Sequence, residues 1–222
     1  MKKLSVEWSL IDVEASKIYS SPIRQLTGLE GNKSRAGVSV CPAVLNQLTT
    51  TFTVPAPFTF SLRFTGTIER PEVRLIESSS TITIDKFRQL FSLSPVSDWL
   101  TTGIPVFQVT TPYIFRSKES CHMLQKFPRA LIGHGHPFRL IEGRFPIHKW
   151  IRPLSWAVEW VNSGHDIVVK RGDPWFDLQF FGNDLDTSFS LARRNYDEAF
   201  KDAVLSTRNI TSYIKGTAKL LR

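Results

Sequence analysis

Residues 105–115 read Pro-Val-Phe-Gln-Val-Thr-Thr-Pro-Tyr-Ile-Phe. Phe107, Val109, Thr111, Tyr113 and Phe115 occupy every second position, the period at which the side chains of an extended strand share one face. The same alternation recurs on both sides of this stretch. Phe58, Phe60, Leu62 and Phe64 interleave with Thr59, Ser61 and Arg63; Trp156, Val158 and Trp160 interleave with Ala157 and Glu159. Phe176, Leu178 and Phe180 follow the turn signal Arg171-Gly172-Asp173-Pro174. Each reads as a half-buried antiparallel strand. Shorter strands are expected at 38–45, 72–77, 81–84, 138–142 and 167–170, with turns at Thr65-Gly66, Ser94-Pro95, Thr102-Gly103 and 162–164. About ten short strands without βαβ alternation predict a mainly β fold, an antiparallel β-sandwich or jelly roll.

Outside this core the texture changes. Residues 1–36 open with an N-terminal strand and continue into a long loop, since 15–36 are rich in Ser, Gly and charge. Residues 37–183 form the expected sandwich domain. Residues 184–222 form a C-terminal segment of one or two helices. Leu191, Tyr196, Ala199, Phe200, Ala203 and Val204 predict a helix over 187–206, capped by Asp186 or Thr187, and Ile210, Tyr213, Ile214, Ala218 and Leu221 predict a second. A turn or two of helix is expected at 85–91.

Of 222 residues, 41% are hydrophobic and 22% charged, which excludes wholesale disorder. Apolar runs are too short for a membrane-spanning helix. Glu7, Asp12 and Glu14 stand where a secretory leader needs an apolar stretch, so no signal peptide is expected. Cys41 and Cys121, 80 positions apart, are then expected to be reduced, buried thiols.

The formal net charge is +8 and unevenly placed. Between 111 and 152, eight basic residues face only Glu119 and Glu142; from 193 to the end, seven face Asp197, Glu198 and Asp202. A basic face of this kind attracts an acidic protein, phosphate or nucleic acid, yet no helix-turn-helix, RNP or zinc-finger pattern is present. Most of the six Trp and sixteen Phe fall on the strand alternation and belong to the core. Trp150 and Trp175 do not: Trp150 stands between charged residues, and Trp175 is out of phase with Phe176, Leu178 and Phe180. Arg116, Arg139, Arg144, Lys149, Trp150 and Arg152 therefore form the candidate surface for a partner protein or nucleic acid.

A second cluster is Gly133-His134-Gly135-His136, followed by Glu142 and His148. Two histidines at i and i+2 of a strand project to one side, and a carboxylate with a later histidine completes the set with which cupin-type barrels hold Fe, Mn or Zn. Here five residues separate His136 from Glu142, one or two more than that pattern uses. No Gly-x-Ser-x-Gly elbow, P-loop or dinucleotide fingerprint occurs, and neighbours Cys121 and His122 would point to opposite faces of a strand.

Val40-Cys41-Pro42-Ala43, Pro112-Tyr113-Ile114-Phe115-Arg116, Trp150-Ile151-Arg152-Pro153 and Gly172-Asp173-Pro174 resemble an uncharacterised β-rich family of tailed phages, especially cyanophages, and some bacteria. The resemblance spans roughly 37–182, carries no known activity, and does not include the paired histidines. It implies a non-enzymatic virion or assembly component that meets a protein partner or a second copy of itself, in the host cytoplasm or the virion, away from membranes. The alternatives are a cupin-like metalloenzyme centred on His134, His136 and Glu142, and a basic nucleic-acid-binding module.

Overall fold

The computed structural model describes residues 2–12, 14–28, 41–184 and 187–207. In chain order these form β1 (Lys3–Leu10), β2 (Ile23–Arg24), α1 (Pro42–Thr50), β3 (Thr51–Pro55), β4 (Phe60–Phe64) and β5 (Val73–Leu75). Then come α2 (Ile84–Leu90), β6 (Phe91–Leu93), β7 (Val106–Ser117), β8 (His122–Lys126), β9 (Arg139–Leu140) and β10 (Gly143–Phe145). The chain continues through β11 (Pro153–Glu159), β12 (Ile167–Val169), β13 (Pro174–Phe181), β14 (Ser188–Arg193) and α3 (Glu198–Thr207).

The protein is mainly β and builds the expected sandwich. One sheet has the order β14-β1-β7-β11-β9, with β6 also paired to β7. A second runs β10-β8-β13-β3-β2, and a third, smaller sheet runs β12-β4-β5. Aromatic rings fill the space between them. Trp156 of β11 meets Phe60 of β4 at 6.0 Å and Trp175 of β13 at 5.6 Å, while Tyr113 and Phe115 of β7 meet Phe176 and Phe180 of β13 at 6.4 and 6.2 Å. These residues are 0–1% exposed, so the alternating faces of 58–64, 105–115, 156–160 and 176–180 supply the core.

Four local expectations are corrected. Residues 41–45 are helical rather than extended: Pro42 opens α1 with its φ already set for a helix, Leu48 faces inward, and the helix passes directly into β3. Cys41, just before that helix, is consequently exposed; only Cys121 is the buried thiol. Residues 81–84 form no strand, because the Thr83 hydroxyl accepts the Lys86 N–H at 3.3 Å and caps α2. Trp175 is core, at 1% exposure, because a bulge between Pro174 and Phe176 lets two consecutive rings face inward.

The fourth correction concerns the C-terminal segment. Residues 188–193 are a strand, β14, lying parallel to β1 with Lys3 opposite Ser188 and Trp8 opposite Arg193. Phe189 and Leu191 alternate with serines, and burial of Phe189 against Phe180 at 5.8 Å selects the strand period over the helical one. The helix begins eleven residues later than expected, after Asp197, whose Oδ1 accepts the Phe200 N–H at 3.0 Å. The second expected helix, at 210–221, lies outside the described residues, as does the whole 29–40 stretch before α1, including the first part of the strand expected at 38–45.

Candidate anion-binding ridge

The β7–β8 connection, which crosses from the first sheet to the second, and the turn after β10 carry the basic residues to one rim of the second sheet. β8 starts at His122, which pairs with Phe181 at the end of β13, and Arg144 of β10 pairs with Leu124. Phe181 follows the inward Phe180 and so faces out, where the Arg144 guanidinium lies 5.3 Å from its ring centre. After β10 the backbone N–H groups of Lys149 and Trp150 both donate to the Pro146 carbonyl, at 2.9 and 2.8 Å, closing a tight turn. That turn is pinned to the β7–β8 connection. Ser117 N–H donates to Ile147 O at 3.2 Å, and His148 Nδ1 sits 2.9 Å from Cys121 O.

The turn folds half-buried Trp150 back onto Phe145, with ring centres 5.8 Å apart, and Arg152 stacks over the indole at 5.2 Å. The His122 and His148 rings are 5.5 Å apart. Burial first, and then the neighbouring charges of Arg144, His148 and Lys149, hold His122 below the ordinary histidine value. The rim is thus a crowd of like charges. Among the described residues neither Arg144 nor Arg152 forms an ion pair.

Of the six candidate residues, the structure places Arg144 and Lys149 near His122 and Arg152 over Trp150, with the turn closed on Pro146 O joining the two pairs, and assigns the other two elsewhere. Arg116 is a packing residue. Its side chain is 18% exposed, its Nε donates to Glu7 at 2.8 Å, and its guanidinium covers Phe200 at 3.9 Å. Arg139 donates to Glu159, which is almost fully buried and also accepts the Thr101 hydroxyl at 2.9 Å. The Arg139 hydrogen bond holds Glu159 below the usual carboxylate value despite its burial. Two members of the ridge escaped sequence reasoning, His122 and Phe181. The available signal was phase: Phe181 breaks the alternation of β13, and His122 follows the buried Cys121.

The histidine cluster has a different geometry from the one its spacing suggests. Gly133 and Gly135 adopt φ of +87° and +65°, left-handed conformations that turn the chain, so the same-side rule for a strand does not apply to His134 and His136. Their rings are 6.3 Å apart, and His136 packs on Phe138 at 5.6 Å while His134 is exposed. Glu142 Oε1 accepts the Phe127 N–H at 3.3 Å, and His148 belongs to the ridge. Among the described residues, no three His, Cys, Asp or Glu side chains are grouped to hold a metal ion. The residues proposed for Fe, Mn or Zn therefore do not form one donor set. Nor is Cys121 a nucleophile at neutral pH: burial pushes its thiol up to about 12, and Sγ lies 3.7 Å from the His122 carbonyl.

No helix among the described residues is long and apolar enough to cross a membrane. No protein-family model matches the chain, and no curated protein matches it.

Proposed function

We propose that this chain is a non-enzymatic β-sandwich protein that binds an acidic protein partner through the ridge of Arg144, Lys149, Trp150 and Arg152, as a virion or assembly component of the phage type its motifs resemble. One observation carries the reading: two exposed arginines stand over aromatic rings and neither is neutralised by a carboxylate among the described residues. Stacking removes part of the hydration shell and limits rotamer freedom, so less is lost when a partner carboxylate arrives. Arg and Trp are also the residue types that anchor protein interfaces.

Helix α3 ends beside the same surface. The Thr207 hydroxyl, in the last described turn of α3, donates to Ile151 O at 2.6 Å, one residue from Arg152. Residues 208–222 follow with Arg208, Lys215, Lys219 and Arg222 and no acidic residue.

The test is a titration of the full chain with a polyglutamate peptide and with a single-stranded oligonucleotide, at low and high salt. The expected result is polyglutamate binding that weakens with salt and is lost in Arg144→Gln/Arg152→Gln. Preference for the oligonucleotide would move the protein to the nucleic-acid-binding class. Failure to bind either probe would overturn the ridge reading altogether.

A further inference from the structure

At the other end of β8, away from the ridge, an open cleft of about 280 Å³ lies between α1, Lys126 and the turn at Arg129–Leu131. Val44, Phe127 and Ile132 form its apolar wall, and Lys126, Arg129 and Gln47 supply the polar side, with Glu142 at the edge. We propose that this cleft binds a small organic monoanion, a carboxylate carried on a short apolar body. The proposal does not rest on the ridge reading.

The polar side is held in place by a buried carboxylate. Asp177 of β13 has no exposed surface and accepts three hydrogen bonds: from the Thr53 hydroxyl at 2.7 Å, the Gln25 side-chain amide at 2.7 Å and the Arg129 backbone N–H at 3.0 Å. The last of these fixes the chain at Arg129, so its guanidinium projects from an anchored backbone. The Lys126 ammonium is set by a hydrogen bond to Gln179 Oε1 at 2.9 Å. An ammonium has three donors, and among the described residues this bond uses one of them. Arg129 forms no side-chain hydrogen bond or ion pair among the described residues, so its guanidinium fork is available to accept a carboxylate in bidentate fashion.

The charge balance selects the ligand class. Two carboxylates stand near the two cations: Asp177, buried and paired across the sheet with Lys126, and Glu142, engaged with the Phe127 N–H and beyond ion-pair distance of both cations. Neither forms an ion pair with the Arg129 guanidinium among the described residues, and a single carboxylate answers that one cation. Burial, and the nearby charge of Arg129, hold the Lys126 ammonium below the ordinary lysine value although Asp177 and Glu142 favour its charge, and a bound carboxylate adds to what those two supply. The size lies at the lower end of small-molecule sites, and the apolar wall needs an apolar body to cover it.

The experiment is an amide NMR titration of the full chain with 4-phenylbutyrate, with 4-phenylbutylamine as the opposite-charge control. The expected result is saturable shifts at Lys126, Phe127, Arg129 and Ile132 with the carboxylate and not with the amine, and an affinity about tenfold weaker in Arg129→Gln. Arg129 is exposed and its backbone N–H is retained in that variant, so the fold and the Asp177 bond survive. No shifts at millimolar carboxylate, equal shifts with the amine, or an unchanged affinity in Arg129→Gln would each overturn the proposal. Shifts confined to Arg144 and Trp150 would overturn it too, while leaving the ridge in place.

Discussion

Arg116 and Arg152 each lay a guanidinium over an aromatic ring, 3.9 Å above Phe200 in one case and 5.2 Å from Trp150 in the other. Around Arg116 every charge is answered. Glu7 accepts Arg116 at 2.8 Å and Arg194 at 3.2 Å, Phe200 is fully buried beneath the guanidinium, and the Ser9 hydroxyl donates to Arg194 O at 2.9 Å. That corner clamps α3 onto β1 and β7. At the ridge the rings are at the rim and the arginines are exposed, with charges that repel one another. The same pair of residue types therefore holds the fold together where water is excluded and stays open to solvent where it is not, because desolvation decides how strongly a cation and its partners couple.

The contrast can be broken most sharply by removing the ring. Phe200→Ala should cost about 3–5 kcal/mol, as for other fully buried aromatics, measured by urea unfolding. Phe181→Ala, at the ridge, should cost a small fraction of that. Similar losses at both sites would show that the ridge too is structural.

Next in size is the carboxylate. Glu7→Gln leaves two arginines without a charged partner at a mostly buried site and should destabilise by about 2 kcal/mol. The same group has a pH signature. Burial disfavours its charge, but hydrogen bonds and charge from Arg116 and Arg194 outweigh burial and hold Glu7 below its ordinary 4.5. A carboxylate depressed in the folded state contributes stability that is complete above the unfolded value and declines as pH falls below 4.5 toward the folded one. Acid unfolding of Glu7→Gln should accordingly be flatter over that window than that of the unsubstituted chain. An identical acid limb in both proteins would remove Glu7 from the clamp.

The smallest stability change belongs to the ridge itself. Arg144→Gln and Arg152→Gln should each shift unfolding by no more than about 0.5 kcal/mol, because the side chains are exposed and form no ion pair among the described residues. Their effect should fall on binding: the salt dependence of polyglutamate affinity should be shallower in the double variant. If either substitution lowers the melting temperature as far as Glu7→Gln does, the distinction between the two regions fails.

The legible part of this fold was the part with a strict period. Phe60–Phe64, Val106–Ser117, Pro153–Glu159 and Pro174–Phe181 are strands whose alternation marks the aromatic face that enters the core, although Val106–Ser117 and Pro174–Phe181 bury much of the opposite face as well. The basic surplus between 111 and 152 was legible as well, but not that Arg144 would lie over Phe181 and Arg152 over Trp150. Where two periods competed, as at 187–206, spacing was ambiguous. Phe189 docking beside Phe180, and Asp197 capping the Phe200 N–H, resolved that stretch into a strand followed by a helix.

Sequence by itself determined the sandwich, the aromatic core and the presence of a basic surface, because these follow from local alternation and from counting charges. Only the tertiary structure decided which cations are spent on the fold. Arg116 meets Glu7 across 109 positions and Arg139 meets Glu159 across 20, while Asp177 organises its cleft from donors as far away as Gln25. Such pairings depend on which strands lie side by side and on how much water their neighbours exclude, and neither is written in the residues next to them.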